Sequence, residues 1–394
     1  MTAGREFEMR LLHVISSLNP ESGGTVEGLK QMVSALLRLG HSVEIATLDA
    51  PESAWCRMVT VPVHALGPGV LSFRYSAKLA PWLREHVSNY DAVIVEGLWQ
   101  YHSLASWQAL HGGGVPYFVF THGMLSPWFK KTYPWKHLKK WLYWPWAEYR
   151  VLRDAAAVLF TCEEEMRLAR LSFWLYCCNE KVAGYGTVSP NGNIELQRNI
   201  FLDQHPELRE KRLLLFMGRL HEVKGCDILI QAFARVVARN QDLHLVMAGP
   251  NPMGWQRELI ALSESLGIAG RITWTGAIAG ELKWGAYSAA EAFILPSHQE
   301  NFGMVVAEAL ACGKPVLISD KVNIWREVEA AGAGIVGTDS VEGTEQILNR
   351  WLSLDEVSRQ TMRRSARVCF ENKFEIERVA QNLINIIADN ISST

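Results

Sequence analysis

The sequence predicts an α/β protein of two doubly wound domains in tandem, followed by a helical tail. Short apolar runs without polar alternation recur along the chain, which is typical of strands buried on both faces of a parallel sheet. Stripes of apolar residues at helical spacing separate these runs. The length of 394 residues allows two or three domains, and the 48% of hydrophobic residues are enough to build their cores.

The first half opens with the apolar run Leu11–Ile15, followed by a glycine-rich loop. A helical stripe then runs from Leu29 to Leu37, and a second strand begins at Val43. This order is a βαβ unit, and it repeats. Further strands are predicted at 92–95, 117–120 and 157–160.

Turn residues cluster at 189–193, with the sequence SPNGN, and predict a domain junction near Asn191. The alternation of strands and helices restarts after it, and from Leu348 to Ile391 only helices are predicted. The predicted domains are therefore 1–191 and 192–372, with a helical tail at 373–394 that returns to the first domain. The strands of the second domain are predicted at 213–217, 243–248, 272–274, 292–295 and 316–319.

The composition excludes several classes of protein. A formal net charge of −2 does not fit a nucleic-acid-binding domain, which is usually strongly basic. The seven cysteines are scattered and indicate free thiols in a cytoplasmic protein rather than disulfides or a zinc site. The first residues do not fit a signal peptide, no apolar run approaches the ~18 residues of a membrane span, and no Asp-x-Asp pair suggests a metal.

The second half carries two cations just beyond its first strand. The segment Gly218–Gly225 contains Arg219 and Lys224 on a loop that precedes a helix. Arginine can bond two phosphate oxygens at once and lysine acts as a point charge, so the pair suits a diphosphate. A solvated loop with two surface cations is the alternative. Turns at Gly249 and Gly276 end the next two strands and would let a ligand approach the backbone.

A second cluster lies where the strand 292–295 is followed by a helix that begins near Gly303. The free N–H groups at a helix start favour a phosphate. Glu300 lies on the loop, and Glu308 lies in the helix with its Cα–Cβ bond leaning back toward the helix start. Carboxylates beside an anion site suit a ligand that also carries hydroxyl groups. A capping or salt-bridging role for Glu300 and a surface position for Glu308 are the alternatives.

Together these motifs resemble the retaining GT-B glycosyltransferases of family 4, also called glycosyl transferases group 1. The resemblance rests on Gly218-Arg219, on Lys224-Gly225, and on Glu300 and Glu308 within PSHQENFGMVVAEALACGKPV, and it covers nearly the whole chain. It implies two facing Rossmann-like domains, of which the first binds the acceptor and the second binds a nucleotide sugar.

The resemblance also implies a role for each matching residue. Arg219 and Lys224 would hold the donor diphosphate. Glu308 would bind the ribose hydroxyls, and Glu300 would face the transferred sugar. The backbone positions assigned to donor binding in this domain are Gly218, Gly249, Gly276, Phe302, Gly303 and Met304.

In the first half, Gly23 and Gly24 resemble the N-terminal glycine loop of the family, and His122 matches a histidine beside the donor sugar. A simple turn and a structural histidine are the alternatives. Retaining enzymes of this fold are generally thought to react on the front face of the donor, where the leaving diphosphate assists deprotonation of the acceptor. The resemblance therefore implies catalysis without a protein nucleophile or a metal, by His122, Arg219, Lys224 and Glu300.

The expected substrates are a nucleotide sugar and a sugar or lipid-linked glycan acceptor, in polysaccharide or glycoconjugate synthesis. The donor base stays open between UDP-, GDP- and ADP-sugars, and no further cofactor is expected. Two alternatives are an epimerase- or phosphorylase-like enzyme of the same fold and a non-catalytic nucleotide-sugar-binding protein. Product analysis would separate the first, and the complete set of charged residues argues against the second.

Five of the 15 tryptophans, together with five lysines, lie within residues 128–146. Trp135, Leu138, Trp141 and Leu142 fall on one face of a predicted helix. A core-packing helix with a basic solvated face is slightly favoured, because much of the aromatic surface could be buried. The alternatives are contact with an anionic membrane, at its inner face, and an aromatic surface that stacks on acceptor sugars.

Overall fold

The computed structural model describes residues 8–132 and 134–391. Residues 1–7, Tyr133 and 392–394, which the predicted domains and the stretch 128–146 include, lie outside the described residues, as do the side chains of Phe129 and Lys131. The chain divides into two compact units. Unit 1 comprises Met1–Gly186 and Ile376–Thr394, and unit 2 comprises Thr187–Glu375.

Each unit is built on a parallel sheet. The strands of unit 1 are β1 (Arg10–Ile15), β2 (Ser42–Thr47), β3 (Val63–Ala65), β4 (Ala92–Glu96), β5 (Tyr117–Phe120), β6 (Ala157–Phe160) and β7 (Glu180–Val182). Those of unit 2 are β8 (Arg212–Met217), β9 (Leu243–Ala248), β10 (Ile272–Gly276), β11 (Ala292–Leu295), β12 (Val316–Ser319) and β13 (Gly334–Gly337). The spatial orders are β3-β2-β1-β4-β5-β6-β7 and β10-β9-β8-β11-β12-β13, so both sheets are doubly wound.

Helices connect the strands of both units. The helices before the second unit are α1 (Gly24–Arg38), α2 (Leu79–His86), α3 (Tyr101–Leu110), α4 (Trp128–Thr132), α5 (Pro134–Tyr143), α6 (Glu148–Arg153) and α7 (Glu163–Ala169). Unit 2 contains α8 (Ile194–Gln204), α9 (Cys226–Val237), α10 (Gln256–Ser265), α11 (Gly280–Ala289), α12 (Met304–Ala311), α13 (Trp325–Ala330), α14 (Val341–Ser353) and α15 (Glu356–Lys373). The last helix is α16 (Ile376–Ile391).

The strands predicted from apolar runs are present, and those at the sheet centres are buried. Three short strands at the sheet edges, β3, β7 and β13, are not predicted by the sequence. An edge strand is partly exposed and pairs on one side, so it carries no continuous apolar run that would predict it. None of the seven cysteines, all of which lie in the described residues, forms a disulfide.

The helix α16 belongs to unit 1, where it packs against α1 and Arg38 Nε donates to Glu377 at 2.7 Å. The divisions at 186/187 and 375/376 lie a few residues from the predicted boundaries at 191/192 and 372/373. Thr187, the first residue of unit 2, contacts the last residues of the same unit. Its N–H donates to the Phe374 carbonyl at 2.9 Å, and it pairs with Glu375 in a β-bridge. Asn193 of the predicted junction instead caps the start of α8.

The helix α5 contradicts the core-packing interpretation of the aromatic stretch. None of its described side chains is buried, and Trp135 is 79% exposed. The opposite side of the helix faces the unit, because Lys140 Nζ lies 4.6 Å from the ring centroid of Trp99. Among the described side chains of residues 128–146, only Trp144, beyond the helix end, is buried in the core, where it stacks on Phe173. No helix in the described ranges is long and apolar enough to cross a membrane.

Candidate functional site

Three glycines form a row at the carboxyl ends of adjacent strands in unit 2. Gly218 follows β8, Gly249 follows β9 and Gly276 ends β10. The Gly218 N–H donates to the Ala248 carbonyl at 2.9 Å, and the Gly249 N–H donates to the Gly276 carbonyl at 2.8 Å. A Cβ on Gly249 would lie 1.8 Å from the Gly218 carbonyl oxygen. A side chain is therefore sterically excluded at Gly249, whereas a Cβ on Gly276 would meet nothing within 4 Å.

The loop after β8 holds the two predicted cations in different ways. Arg219 is exposed and makes no hydrogen bond or ion pair with any part of the chain that the structure describes. Lys224 ends a short 3-10 turn and is closed by Gly225, whose φ of +67° places it in the left-handed region. The turn lies against the loop after β11, since the His298 N–H donates to the Val223 carbonyl at 2.8 Å.

Glu300 pairs with Lys224, and both side chains are mostly buried. Its backbone is fixed on both sides, because its N–H donates to the Lys321 carbonyl and its carbonyl accepts from the Asn323 N–H, each at 3.0 Å. From the sequence, Lys224 is expected to bind a diphosphate and Glu300 is expected to face a sugar. The Lys224 and Glu300 side chains contact each other at the point where the strand order of the sheet reverses, between β8 and β11.

Glu308 is 7% exposed, so the surface interpretation is wrong. Its Oε1 accepts from Lys283 Nζ at 2.8 Å, and its Oε2 accepts from the Tyr287 hydroxyl at 3.0 Å. Burial, together with the Glu308 charge, raises the pKa of Tyr287 well above its ordinary value, so this hydroxyl stays a donor. Lys283 and Tyr287 lie on α11, far from Glu308 in sequence, and no local pattern could have assigned them to it.

The helix α12 begins at Met304 next to these glutamates. Gly303 caps it with φ +81°, and it carries no side chain that would cap the free N–H groups. The Phe302 side chain is buried and lies edge-on to Phe374, 5.6 Å between ring centroids. The positive end of α12 thus lies beside Glu300, and the assignment of the Phe302 and Gly303 backbone to a ligand stays a prediction.

In unit 1 the predicted glycines begin α1 at the carboxyl end of β1. Gly23 is the N-cap with φ +82° and Gly24 is the first helical residue. A Cβ on either would meet nothing within 4 Å, so the space above them is open. The Gly24 carbonyl accepts from the Tyr185 hydroxyl at 3.2 Å.

His122 follows β5 and is held by a carboxylate that the sequence analysis missed. Glu96, the last residue of β4, accepts from His122 Nε2 at 2.5 Å and from His13 Nδ1 at 2.7 Å. Burial alone would raise the pKa of Glu96, but the hydrogen bonds from His122 and His13 lower it to about 2. An acid directly after a buried strand, at the same sheet edge as His122, is a signal that could have been used.

A cavity of about 240 Å³ opens beside Glu96 at the carboxyl ends of β1 and β4 in unit 1. Polar side chains line much of it, among them Ser16, Ser17, Asn19, Thr25, Arg74 and Gln100. Hydroxyl, amide and guanidinium groups of this kind suit a hydroxylated ligand. Within residues 8–132 and 134–391, no group of three or more His, Cys, Asp or Glu side chains could hold a metal ion.

Two family models match the chain, one in each unit. The model described as Glycosyl transferase 4-like domain matches residues 23–174, and the model described as Glycosyl transferases group 1 matches residues 197–368. The second match contains Arg219, Lys224, Glu300 and Glu308, and the first contains His122.

Curated relatives match in shorter segments. The D-inositol 3-phosphate glycosyltransferase of Rhodococcus erythropolis is 35% identical over 129 residues, which is 32% of this chain and 29% of that protein. The alpha-D-kanosaminyltransferase of Streptomyces kanamyceticus is 28% identical over 200 residues, 48% of this chain and 49% of the relative. The chain thus spans less than half the length of these curated relatives.

Solved structures match over the full length. Anabaena Alr3699/HepE in complex with UDP and glucose is similar with a TM-score of 0.74 and 18% identity, covering 98% of this chain and 100% of that chain. At this identity the likeness shows a shared fold of two Rossmann-like domains, and nothing finer.

Proposed function

Since the chain belongs to the family 4 type of glycosyltransferases with the GT-B fold, we propose that it moves a hexose from a nucleotide sugar to a sugar or lipid-linked glycan acceptor, with retention at the anomeric carbon. The observation that carries this proposal is the meeting of Lys224 and Glu300 beside the start of α12. A cation and a helix N-terminus suit a diphosphate, whereas a carboxylate suits hydroxyl groups. A nucleotide sugar carries both.

In this proposal Arg219 and Lys224 bind the diphosphate. Lys224 has three ammonium hydrogens, so it can bond Glu300 and a phosphate oxygen together. Glu300 accepts from hydroxyls of the transferred sugar. Glu308, already held by Lys283 and Tyr287, accepts from the ribose hydroxyls with its remaining lone pairs.

The proposed reaction breaks the bond between the anomeric carbon and the diphosphate oxygen. The acceptor oxygen forms its bond on the same face of the sugar, and its proton passes to the departing phosphate. No protein nucleophile, metal or further cofactor takes part. Catalysis then comes from orientation and from cations that stabilise the negative charge developing on the leaving group, the role assigned to Arg219, Lys224 and the start of α12.

The solved structure of HepE with UDP and glucose supports UDP-sugars as the first donors to test. We propose a thermal-shift screen of the full chain against UDP, GDP and ADP and their common sugars. Each stabilising donor is then incubated with the protein, and the products are separated. Transfer or slow hydrolysis with an unchanged anomeric configuration supports the proposal. An isomerised donor indicates the epimerase-like alternative, and binding without turnover indicates the non-catalytic one.

We further propose that unit 1 contacts an anionic membrane from the cytoplasmic side, where a lipid-linked acceptor would lie. The apolar face of α5 points away from its unit: Leu142 is 60% exposed, and Trp146 just beyond the helix is 72% exposed. Leu171, Trp174 and Leu175 are also exposed, and Trp174 lies 6.1 Å from Trp141 between ring centroids. The lysines of the stretch would add attraction to anionic lipid.

Sedimentation with vesicles tests the membrane proposal. The full chain is expected to bind vesicles with anionic lipid at low salt, and the double variant Trp135→Ser/Leu142→Ser is expected to lose most of this binding. Met253→Ser removes an equally exposed apolar side chain from unit 2 and serves as the control. No binding at low salt would leave stacking on acceptor sugars as the role of this surface.

A further inference from the structure

We infer that Glu96 is a positioning residue that fixes which ring nitrogen of His122 meets a ligand. Glu96 holds the hydrogen of His122 on Nε2, so Nδ1 is left as a hydrogen-bond acceptor. The inference rests on the proposed function insofar as the ligand is a sugar. It adds that His122 accepts a hydrogen bond from a hydroxyl group of that sugar, and that His122 does not bind the phosphates.

Three histidine rings surround Glu96. His122 Nε2 contacts Oε2 at 2.5 Å, His13 Nδ1 contacts Oε1 at 2.7 Å, and His102 Nε2 contacts the Glu96 carbonyl at 2.9 Å. Ionised carboxylate and carbonyl oxygens only accept, so each of these ring nitrogens must carry a hydrogen. The low pKa of Glu96 agrees with an ionised carboxylate at neutral pH.

The far nitrogens of two of these rings are closed off. His13 Nε2 and His102 Nδ1 are buried without a hydrogen-bond partner in the described chain. A second proton on His102 would bury an N–H group without an acceptor, so this ring is neutral. Burial lowers the pKa of His102 to about 4, in agreement. His122 is also mostly buried, with 6% of its side chain exposed, but its Nδ1 is not among the buried nitrogens without a partner, so it is the ring nitrogen that we assign to a ligand.

A second buried carboxylate fixes the backbone of His122. Glu165 Oε1 accepts from the Gly123 N–H at 2.5 Å and from the Thr121 hydroxyl at 2.6 Å, on either side of His122. This clamp supports a φ of +47°, which is unusual for a residue with a side chain. The ring stacks on Phe120 with 4.8 Å between centroids. Backbone, ring plane and hydrogen position are thus each determined by a separate contact.

The fixed hydrogen decides what His122 can recognise. A neutral imidazole with Nε2–H presents a lone pair at Nδ1, which attracts a hydroxyl hydrogen and repels a phosphate oxygen. The opposite tautomer would reverse this preference. Glu96 therefore contributes to the choice between the sugar and the phosphate part of a donor through the His122 ring.

The two-bond proton–nitrogen NMR spectrum of the uniformly ¹⁵N-labelled full chain tests the inference without any substrate. The His122 signals are assigned by their loss in His122→Asn. We expect the Nε2–H pattern in the wild type and a shift toward Nδ1–H in Glu96→Gln, whose amide can donate to Nε2. An Nδ1–H pattern in the wild type overturns the inference, even if Glu96→Gln fails to fold.

Binding supplies a readout that a merely structural role would not give. For the nucleotide sugar selected by the screen, Glu96→Gln is expected to weaken binding about tenfold, which is 1.4 kcal/mol. Binding of the corresponding nucleoside diphosphate is expected to stay unchanged. Equal weakening of both ligands, or of neither, overturns the inference. If the wild type binds no nucleotide sugar, the proposed function fails, while the NMR test still decides the tautomer.

Discussion

Unit 1 and unit 2 place their candidate residues at the same point of the same topology, but with different chemistry. In each sheet the strand order reverses beside the first strand, β1 or β8. In unit 2 the glutamates at this edge pair with lysines, Lys224 with Glu300 and Lys283 with Glu308. In unit 1 the glutamate pairs with histidines. A lysine keeps its charge and suits phosphate, whereas a neutral imidazole suits hydroxyl groups.

The largest effect is expected from the cations and carboxylates of unit 2. Lys224→Ala and Glu308→Gln should each lower the transfer rate by about 10²–10³-fold, the usual cost of removing one group that stabilises a transition state. The fold should remain intact, as judged by circular dichroism and the unfolding midpoint. Lys211→Ala removes an exposed lysine of the same unit and should leave the rate unchanged. Near wild-type transfer by both site variants would show that the donor lies elsewhere.

The glycine row of unit 2 should be the next most sensitive feature. Gly249→Ala forces a Cβ against the Gly218 carbonyl at a φ of +143°, and we expect a loss of about 3 kcal/mol or more in the free energy of unfolding. Gly270→Ala is the matched control, because its Cβ would meet nothing within 4 Å. Denaturant unfolding of the two variants measures the difference. Equal stability would mean that the backbone at this edge can move apart.

Unit 1 also contains a buried glutamate without a hydrogen-bonded cation. Glu148 accepts from the Trp99 N–H at 2.6 Å and from the Ser103 hydroxyl at 2.8 Å. Burial raises its pKa to about 7, against these hydrogen bonds and the charge of Lys140. Between pH 4.5 and 7 the unfolded chain loses this proton while the folded chain keeps it. The free energy of unfolding should therefore fall as pH rises through this window, by up to about 3 kcal/mol.

Denaturant unfolding at pH 5, 6, 7 and 8 measures this dependence. The side chain at position 148 no longer titrates in Glu148→Gln, so the free energy of unfolding should fall less steeply with pH in this variant. Its unfolding midpoint at any single pH does not bear on the test. A decline of the same slope in the variant would assign the pH dependence to other groups.

The smallest effect is expected at Lys283, whose Nζ donates to Glu308 Oε1 at 2.8 Å. Lys283→Met keeps the length of the side chain but removes the charge, so Glu308 loses one anchor and keeps Tyr287. We expect the KM for the donor to rise about tenfold with little change in kcat, because the loss concerns uniform binding. A drop in kcat alone would instead place Lys283 in transition-state stabilisation.

The sequence was informative where one local pattern is enough. Apolar runs predicted the central strands, and the loop and helix from Pro296 to Ala311 predicted the placement of Glu300 and Glu308. It failed where partners come from distant segments, as for Lys283 on α11 or His13 on β1. It also gave the wrong direction for α5, since an apolar helical face has the same pattern whether it points inward or toward an outside partner.

The return of α16 to unit 1 has a consequence for how the chain can be cut. Unit 2 is a single continuous insert, and its two ends are joined by the bond from Thr187 to Phe374. It can thus be excised as residues 187–375 with its termini already side by side. Unit 1 is interrupted in sequence, so residues 8–186 alone would lack the partner of α1. A short linker from Gly186 to Ile376 would restore it, so we expect that the two units can be produced separately, with unit 2 taken out of unit 1 as one continuous segment.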